Sequence, residues 1–141
     1  MTMRMYNITG KLMAKNVSKY KIDWNKKSRS KLQFTVKQFL KPHWCYQVCF
    51  EEFPVFGTKM FVDILNATKK IAVEVNGPQH KKFNKFFHNN SRANYFSSIK
   101  RDWKKAEWLE RNDYTLIEIE YNEIKDLSVE FIEEKFGVSI V

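Results

Sequence analysis

The sequence predicts an α/β fold: a mixed four-stranded sheet built in the order α-β-β-β-α-β and flanked by helices. Three observations carry that expectation. Short apolar runs follow one another between residues 46 and 76, broken by Gly57 and by the polar turn 66–70. A run of helical period over residues 91–112 then leads into one more short apolar run, 115–120. Apolar positions at helical spacing recur near both ends of this set. A chain of 141 residues, 43% of them hydrophobic, suits one domain with a real core.

Taken in order, residues 1–27 are polar and basic with scattered aromatics (Tyr6, Tyr20, Trp24) and no sustained period. They read as a basic N-terminal arm, with a short peripheral element packed by those aromatics as the other reading; residues 28–141 read as the single domain. Leu32, Val36, Phe39 and Leu40 set a helix over Ser28–Leu40, and Pro42 should end it. Tyr46–Val55 reads as a strand, with Val48, Phe50 and Glu52 on one face and Cys49, Glu51 and Phe53 on the other. Gly57 turns the chain into a strand carrying Asp63, and residues 66–70 turn it into a strand carrying Glu74. Gly77-Pro78 closes that strand and opens an irregular stretch, Gln79–Asn90. A long helix, about Ser91–Asn112, leads to a last strand, Thr115–Glu120, which a helical crossover allows to run parallel to its neighbour. Val129, Ile132 and Phe136 outline a final short helix.

The net charge of +9 is distributed in blocks. Residues 1–50 hold eleven Lys/Arg and one acid, Asp23, and residues 81–105 hold eight against Asp102. Residues 106–141 reverse the sign, with three basic and ten acidic residues. Segregated positive charge points to a polyanion, because each neutralised phosphate releases counterions. Nucleic acid is the partner expected. No apolar run approaches the ~20 residues of a membrane span, and the N-terminus lacks the apolar core of a signal peptide. Two cysteines, Cys45 and Cys49, do not make a disulfide framework, and with His43 they fall short of a structural zinc set. An intracellular protein with no membrane partner is expected.

The residues with chemistry lie in and after the central hairpin. Asp63 shares a strand face with Phe61 and Leu65, and Glu74 shares one with Ala72 and Asn76. Two carboxylates on otherwise apolar strands are costly to bury unpaired. A divalent cation between them would remove the cost, and carboxylate plus water suits Mg2+ or Mn2+, ions that cleave phosphodiesters. The plainer readings are an exposed strand-end aspartate for Asp63 and an ion pair with Lys59 or Lys70 for Glu74. Asn76 is a neutral amide that can orient water, and His80, just past the strand end, can accept a proton near neutral pH. Gln79 can hydrogen-bond phosphate or water. Asp102 stands in register with Ile99, Ala106 and Leu109, so it is expected on the inward stripe of its helix, where a carboxylate needs a partner.

These pieces resemble the PD-(D/E)xK nuclease superfamily, closest to the branch of the very short patch repair endonuclease and related phage and homing nucleases. The matching segments are Asp63, then Val73-Glu74-Val75-Asn76-Gly77 with His80, then Asp102, Lys105 and Leu109, then Leu116–Glu120. They span about residues 28–121; each is short, and the ordered set is what carries specificity. The resemblance implies a restriction-endonuclease-like core and a metal-dependent DNA endonuclease. Asp63 and Glu74 would be its metal ligands, His80 its proton acceptor, and Asn76, Gln79 and Asp102 would shape the site. The small basic chain shows no obvious sequence-reading module, which favours structured or branched DNA as substrate, cut by a phage-type Holliday-junction resolvase or a homing-type nicking enzyme. A resolvase would work as a homodimer, in the host cytoplasm if phage-encoded. Two departures stand out. Asn76 occupies a position where much of the superfamily has lysine, leaving Lys81, Lys82 and Lys105 as sources of the missing cation. Gln33 stands where the branch often has a first-helix glutamate, with Glu51 or Glu52, the latter favoured, as substitutes.

Lys81, Lys82, Lys85, Arg92, Lys100, Arg101, Lys104 and Lys105 interleave with Phe83, Phe86, Phe87, Tyr95, Phe96 and Trp103. Cations beside aromatics suit phosphate contact plus stacking on unpaired bases. The rival reading from the neutral Asn76 and Gln33 is a non-catalytic nucleic-acid-binding protein on a nuclease scaffold.

Overall fold

A computed structural model describes residues 1–78 and 92–141, with the side chains of 92–96 and 98 excepted. Gln79, His80, Lys81, Lys82 and Lys85, the expected irregular stretch and the side chain of Arg92 therefore lie outside the described residues.

The elements run β1 (Thr2–Tyr6), β2 (Leu12–Asn16), α1 (Lys31–Trp44), β3 (Cys49–Pro54), β4 (Phe61–Asn66), β5 (Ile71–Asn76), α2 (Arg92–Arg111), β6 (Thr115–Glu120) and α3 (Val129–Phe136). Strands β3 to β6 form a four-stranded sheet in that order. Its first two pairings are antiparallel and β5–β6 is parallel, so the expected mixed sheet is present. Alternation along β5 divides the core in two. Ile71 and Val73 join Val36, Leu40 and Trp44 of α1 and Ile132 of α3 on one face. Ala72 joins Trp108 and Leu109 of α2 on the other, with Phe50, Phe53 and Leu65.

Residues 1–27 are not an arm apart from the domain. Strands β1 and β2 pair antiparallel, and Met5 and Val17 are buried in the α2-side core with Met3, Met13 and Tyr20 packed against it. The methionines alternate on one face of the hairpin, an apolar stripe short enough to be masked by the surrounding charge. Polar bonds fasten it: Tyr6 donates its N–H to Asn112 Oδ1 at 2.8 Å, and its carbonyl accepts from Asn112 Nδ2 at 3.1 Å and Trp108 Nε1 at 2.6 Å. Gly57, at φ +88°, makes the β3–β4 turn where a Cβ would stand 3.4 Å from that of Asn7, so the turn and hairpin meet closely. Asn112→Ala strands the Tyr6 amide and is expected to cost about 1–3 kcal/mol. Hydrogen exchange should report it as faster exchange in residues 2–16 than in β5.

Helix α1 starts three residues later than expected, because Ser30 caps it by accepting from Gln33 N–H at 3.1 Å. Nor does Pro42 end it; the helix continues to Trp44. Trp44 is fully buried and donates Nε1–H to Ile140 O at 2.9 Å, and that burial outweighs the one backbone bond proline removes. Strand β3 is shorter than expected and does not alternate cleanly: Glu52 adopts φ +52°, and Phe50 and Phe53 fall in the same core cluster.

Candidate active site

The site lies where the β4–β5 ladder stops. Backbone partners run Asn66↔Ile71, Leu65↔Ala72 and Ile64↔Val73; one more step would pair Asp63 with Glu74. Side chains take over there. The Asp63 N–H donates to Glu74 Oε2 at 3.1 Å, and the Val75 N–H donates to Asp63 Oδ2 at 2.8 Å. The strands are thus joined through two carboxylates instead of through carbonyls, and both are held to the opening by backbone donors that cannot swing away. Meanwhile β5 continues its parallel ladder with β6 through Asn76↔Glu120, so Glu74 rests on a rigid strand.

The same registers extend the acidic row. Glu51↔Ile64 and Phe53↔Val62 bracket Glu52, placing it opposite Asp63, and Glu74 pairs with Glu118 of β6. Four carboxylates therefore lie across the sheet at one level. Cations answer them from both sides: Lys105 Nζ of α2 bonds Glu74 Oε1, and Arg29, just before α1, stands 3.7 Å from Glu52. Gln33 donates Nε2–H to both Glu51 (2.9 Å) and Glu52 (3.1 Å). A glutamate at position 33 would add a third carboxylate to that contact, so the amide is required by its neighbours. Beneath it, Lys37 is 0% exposed and held by Glu51 at 2.7 Å and the Lys26 carbonyl at 2.8 Å. Glu51 is thereby committed to α1.

Burial and the neighbouring Glu74 charge push the Asp63 carboxyl up from 3.8 to about 8, against the opposing pull of the Val75 N–H and the Lys105 charge. In this arrangement Asp63 holds a proton that an ordinary aspartate would have lost. A bound cation would replace that proton.

An open cavity of about 460 Å³ lies over the pair. Asp63, Glu74, Asn76, Asp102 and Lys105 line it, so the structure brings together the expected catalytic and metal-ligating residues that it describes, while the described Lys100 and Lys104 do not line it. Gln33, Arg29, Arg101 and Glu118 line it too. Arg29 and Glu118 escaped the sequence reading. Glu118 carries the signal that revealed Glu74, a lone acid between apolar strand residues (Ile117 and Ile119). Asp102 needs a correction: it is exposed, not on an inward stripe, and Ile99 of the supposed stripe is 46% exposed. Among the described residues of that helix Trp108 and Leu109 are buried, as is Asn112 just past its end. Asp102 reaches the cavity from its rim. Lys100, Arg101 and Lys104 are exposed on the same helix.

Among the described residues no group of three or more His, Cys, Asp or Glu side chains is arranged to hold a metal ion. The Asp63–Glu74 pair still suits Mg2+ or Mn2+. Such ions keep several waters and need only one or two carboxylates, and burial, with the Glu74 charge second, makes ionised Asp63 costly, a cost that a bound cation would lessen. Also among the described residues, no helix is long and apolar enough to cross a membrane.

No protein-family model matches the chain, and no solved structure matches it. The chain is similar to a protein of Invertebrate iridescent virus 3 described as "Uncharacterized protein 033L", 38% identical over 68 residues. That match covers 48% of this chain and 34% of the viral protein, so the chain aligns with about a third of its relative's length.

Proposed function

We propose that the chain is a metal-dependent DNA endonuclease with a restriction-endonuclease-like core. The observation that carries this reading is the Asp63–Glu74 pair, set where the β4–β5 ladder gives way to side-chain bonds and roofed by an open cavity with a basic rim. Mg2+ or Mn2+ bound by Asp63 and Glu74 would polarise the scissile phosphate and acidify an attacking water. The chain's own groups do the rest. Arg29 and Arg101 hold phosphate oxygens over the cavity. Lys105, anchored on Glu74, supplies through Nζ the cation that Asn76 lacks, offsetting charge that develops on the phosphate. Asn76, at the end of β5, orients water through its amide, with Gln79 as a further polar contact. His80 takes the water proton in this reading. The ordered motifs from Asp63 to Glu120 and the +9 charge support nucleic acid as substrate.

Cleavage of a labelled panel (duplex, nicked, mismatched, flap and four-way junction DNA) with Mg2+ or Mn2+ tests it. The expected result is cutting by the wild type and at least a 10²-fold loss in Asp63→Ala. DNA binding without cleavage by either protein would assign the scaffold to binding alone.

A further inference from the structure

Trp103 departs from the burial pattern of its helix. Trp108, one turn and a residue onward, is 1% exposed, whereas Trp103 is 71% exposed. Ile99, four residues before it and on the same helical face, is 46% exposed. An indole left in water forgoes a large hydrophobic gain, and its neighbours identify what would cover it. Lys100, one turn before it, and Lys104, the next residue, flank it on the exposed side of α2, while Glu107 and Glu110 share its face, Glu107 being held by Arg111 at 3.4 Å. Asp102, the residue before it, lines the cavity over Asp63 and Glu74, as do Arg101 and Lys105. Residues 100–111 carry five cations against three acids, a balance that draws a polyanion to this helix.

Resting on the nuclease reading, we propose that Trp103 is a stacking platform for an unpaired base, and that the enzyme's substrate is DNA with single-stranded or unstacked nucleotides beside the cut. Lys100 and Lys104 grip the flanking phosphates while the indole covers the base. A base inside an intact duplex has no free face to offer, so this contact selects against plain duplex. Within one turn of the helix, Arg101 and Lys105 then meet the strand that enters the cavity.

The test is binding in EDTA, which separates recognition from cutting. Fluorescence anisotropy would compare wild type, Trp103→Ala and Trp103→Phe on a labelled flap, a (dT) oligonucleotide and a matched duplex. Trp103→Ala should weaken flap and oligonucleotide binding by about 5- to 100-fold and duplex binding by less than about twofold. Trp103→Phe, which keeps a ring, should retain most of the affinity. Equal losses on duplex and flap, or no loss on either, would overturn the platform while leaving the nuclease reading intact. So would a wild-type dimer that Trp103→Ala converts to monomer with unchanged DNA affinity, since the indole would then cover a second copy. No DNA binding by the wild type would overturn both readings.

Discussion

Replacing Asp63 by asparagine is expected to make the protein more stable at pH 8 and, in the nuclease reading, to abolish metal-dependent cleavage. The folded-state carboxyl titrates near 8 instead of 3.8, chiefly because it is buried and secondly because Glu74 stands beside it. Below pH 4 both folded and unfolded chains hold the proton, and the group has no effect on stability. Between pH 4 and 8 the unfolded chain has released the proton while the folded chain keeps it, so stability falls as pH rises. Above 8 the folded state carries the charge and the cost is fully present. Asparagine keeps an oxygen for the Val75 N–H and adds a donor toward Glu74, without the charge. Asp63→Asn should therefore gain on the order of 2–4 kcal/mol at pH 8, roughly 5–10 °C in Tm. The gap should close by pH 4. Thermal melts of both proteins across pH 4–8 check this, and parallel curves would show that Asp63 ionises normally. Stability withheld at a functional site is the expected trade.

Lys105→Ala should be the most damaging single change around the cavity. Its ammonium bonds Glu74, and the two side chains are only 16% and 10% exposed. Removing it leaves Glu74 facing Asp63 with no cation against it, a loss of about 3–5 kcal/mol, a large part of the ~5–15 kcal/mol that holds a domain together. Adding Glu74→Gln to the Lys105→Ala background should restore much of that stability, and the double-mutant cycle should give a coupling of at least about 1 kcal/mol. Additive effects would remove the ion pair from the account. In the nuclease reading, cleavage by Lys105→Ala should also fall by about 10²-fold or more, in protein shown to be folded at the assay temperature.

Much of this was readable from residue order, and the failures have physical causes. Asp63 and Glu74 stood out because a charge on an apolar strand demands a partner, and the structure answers with Lys105, Val75 N–H and each other. Glu118 carried the same mark, but its relevance depends on the parallel register that sets it beside Glu74, which pattern alone does not supply. Helix α2 stands where its period predicts and Leu109 is buried, but its inward face does not follow from apolar character alone. Ile99 is outside, while Asn112 is buried because it fastens the hairpin, and Lys105 turns toward the cavity because Glu74 waits there. Pro42 and the hairpin are cases in which tertiary burial overrode local signals: Trp44 holds the last turn of α1, and Met5 and Val17 draw a basic segment into the core. Glu52, expected as the substitute for a first-helix glutamate, lies opposite Asp63 in register, at a positive φ that no alternation rule foresees, but it bonds Gln33 and Arg29 and does not line the cavity.

The most direct test of the central claim is a Mn2+ titration at pH 8, with free Mn2+ followed by electron paramagnetic resonance, on wild type and Asp63→Asn. The wild type should bind saturably and the variant at least tenfold more weakly, even though the variant is the more stable protein. Equal affinity in the two, or no binding by the wild type at millimolar Mn2+, would contradict a metal site at Asp63 and Glu74.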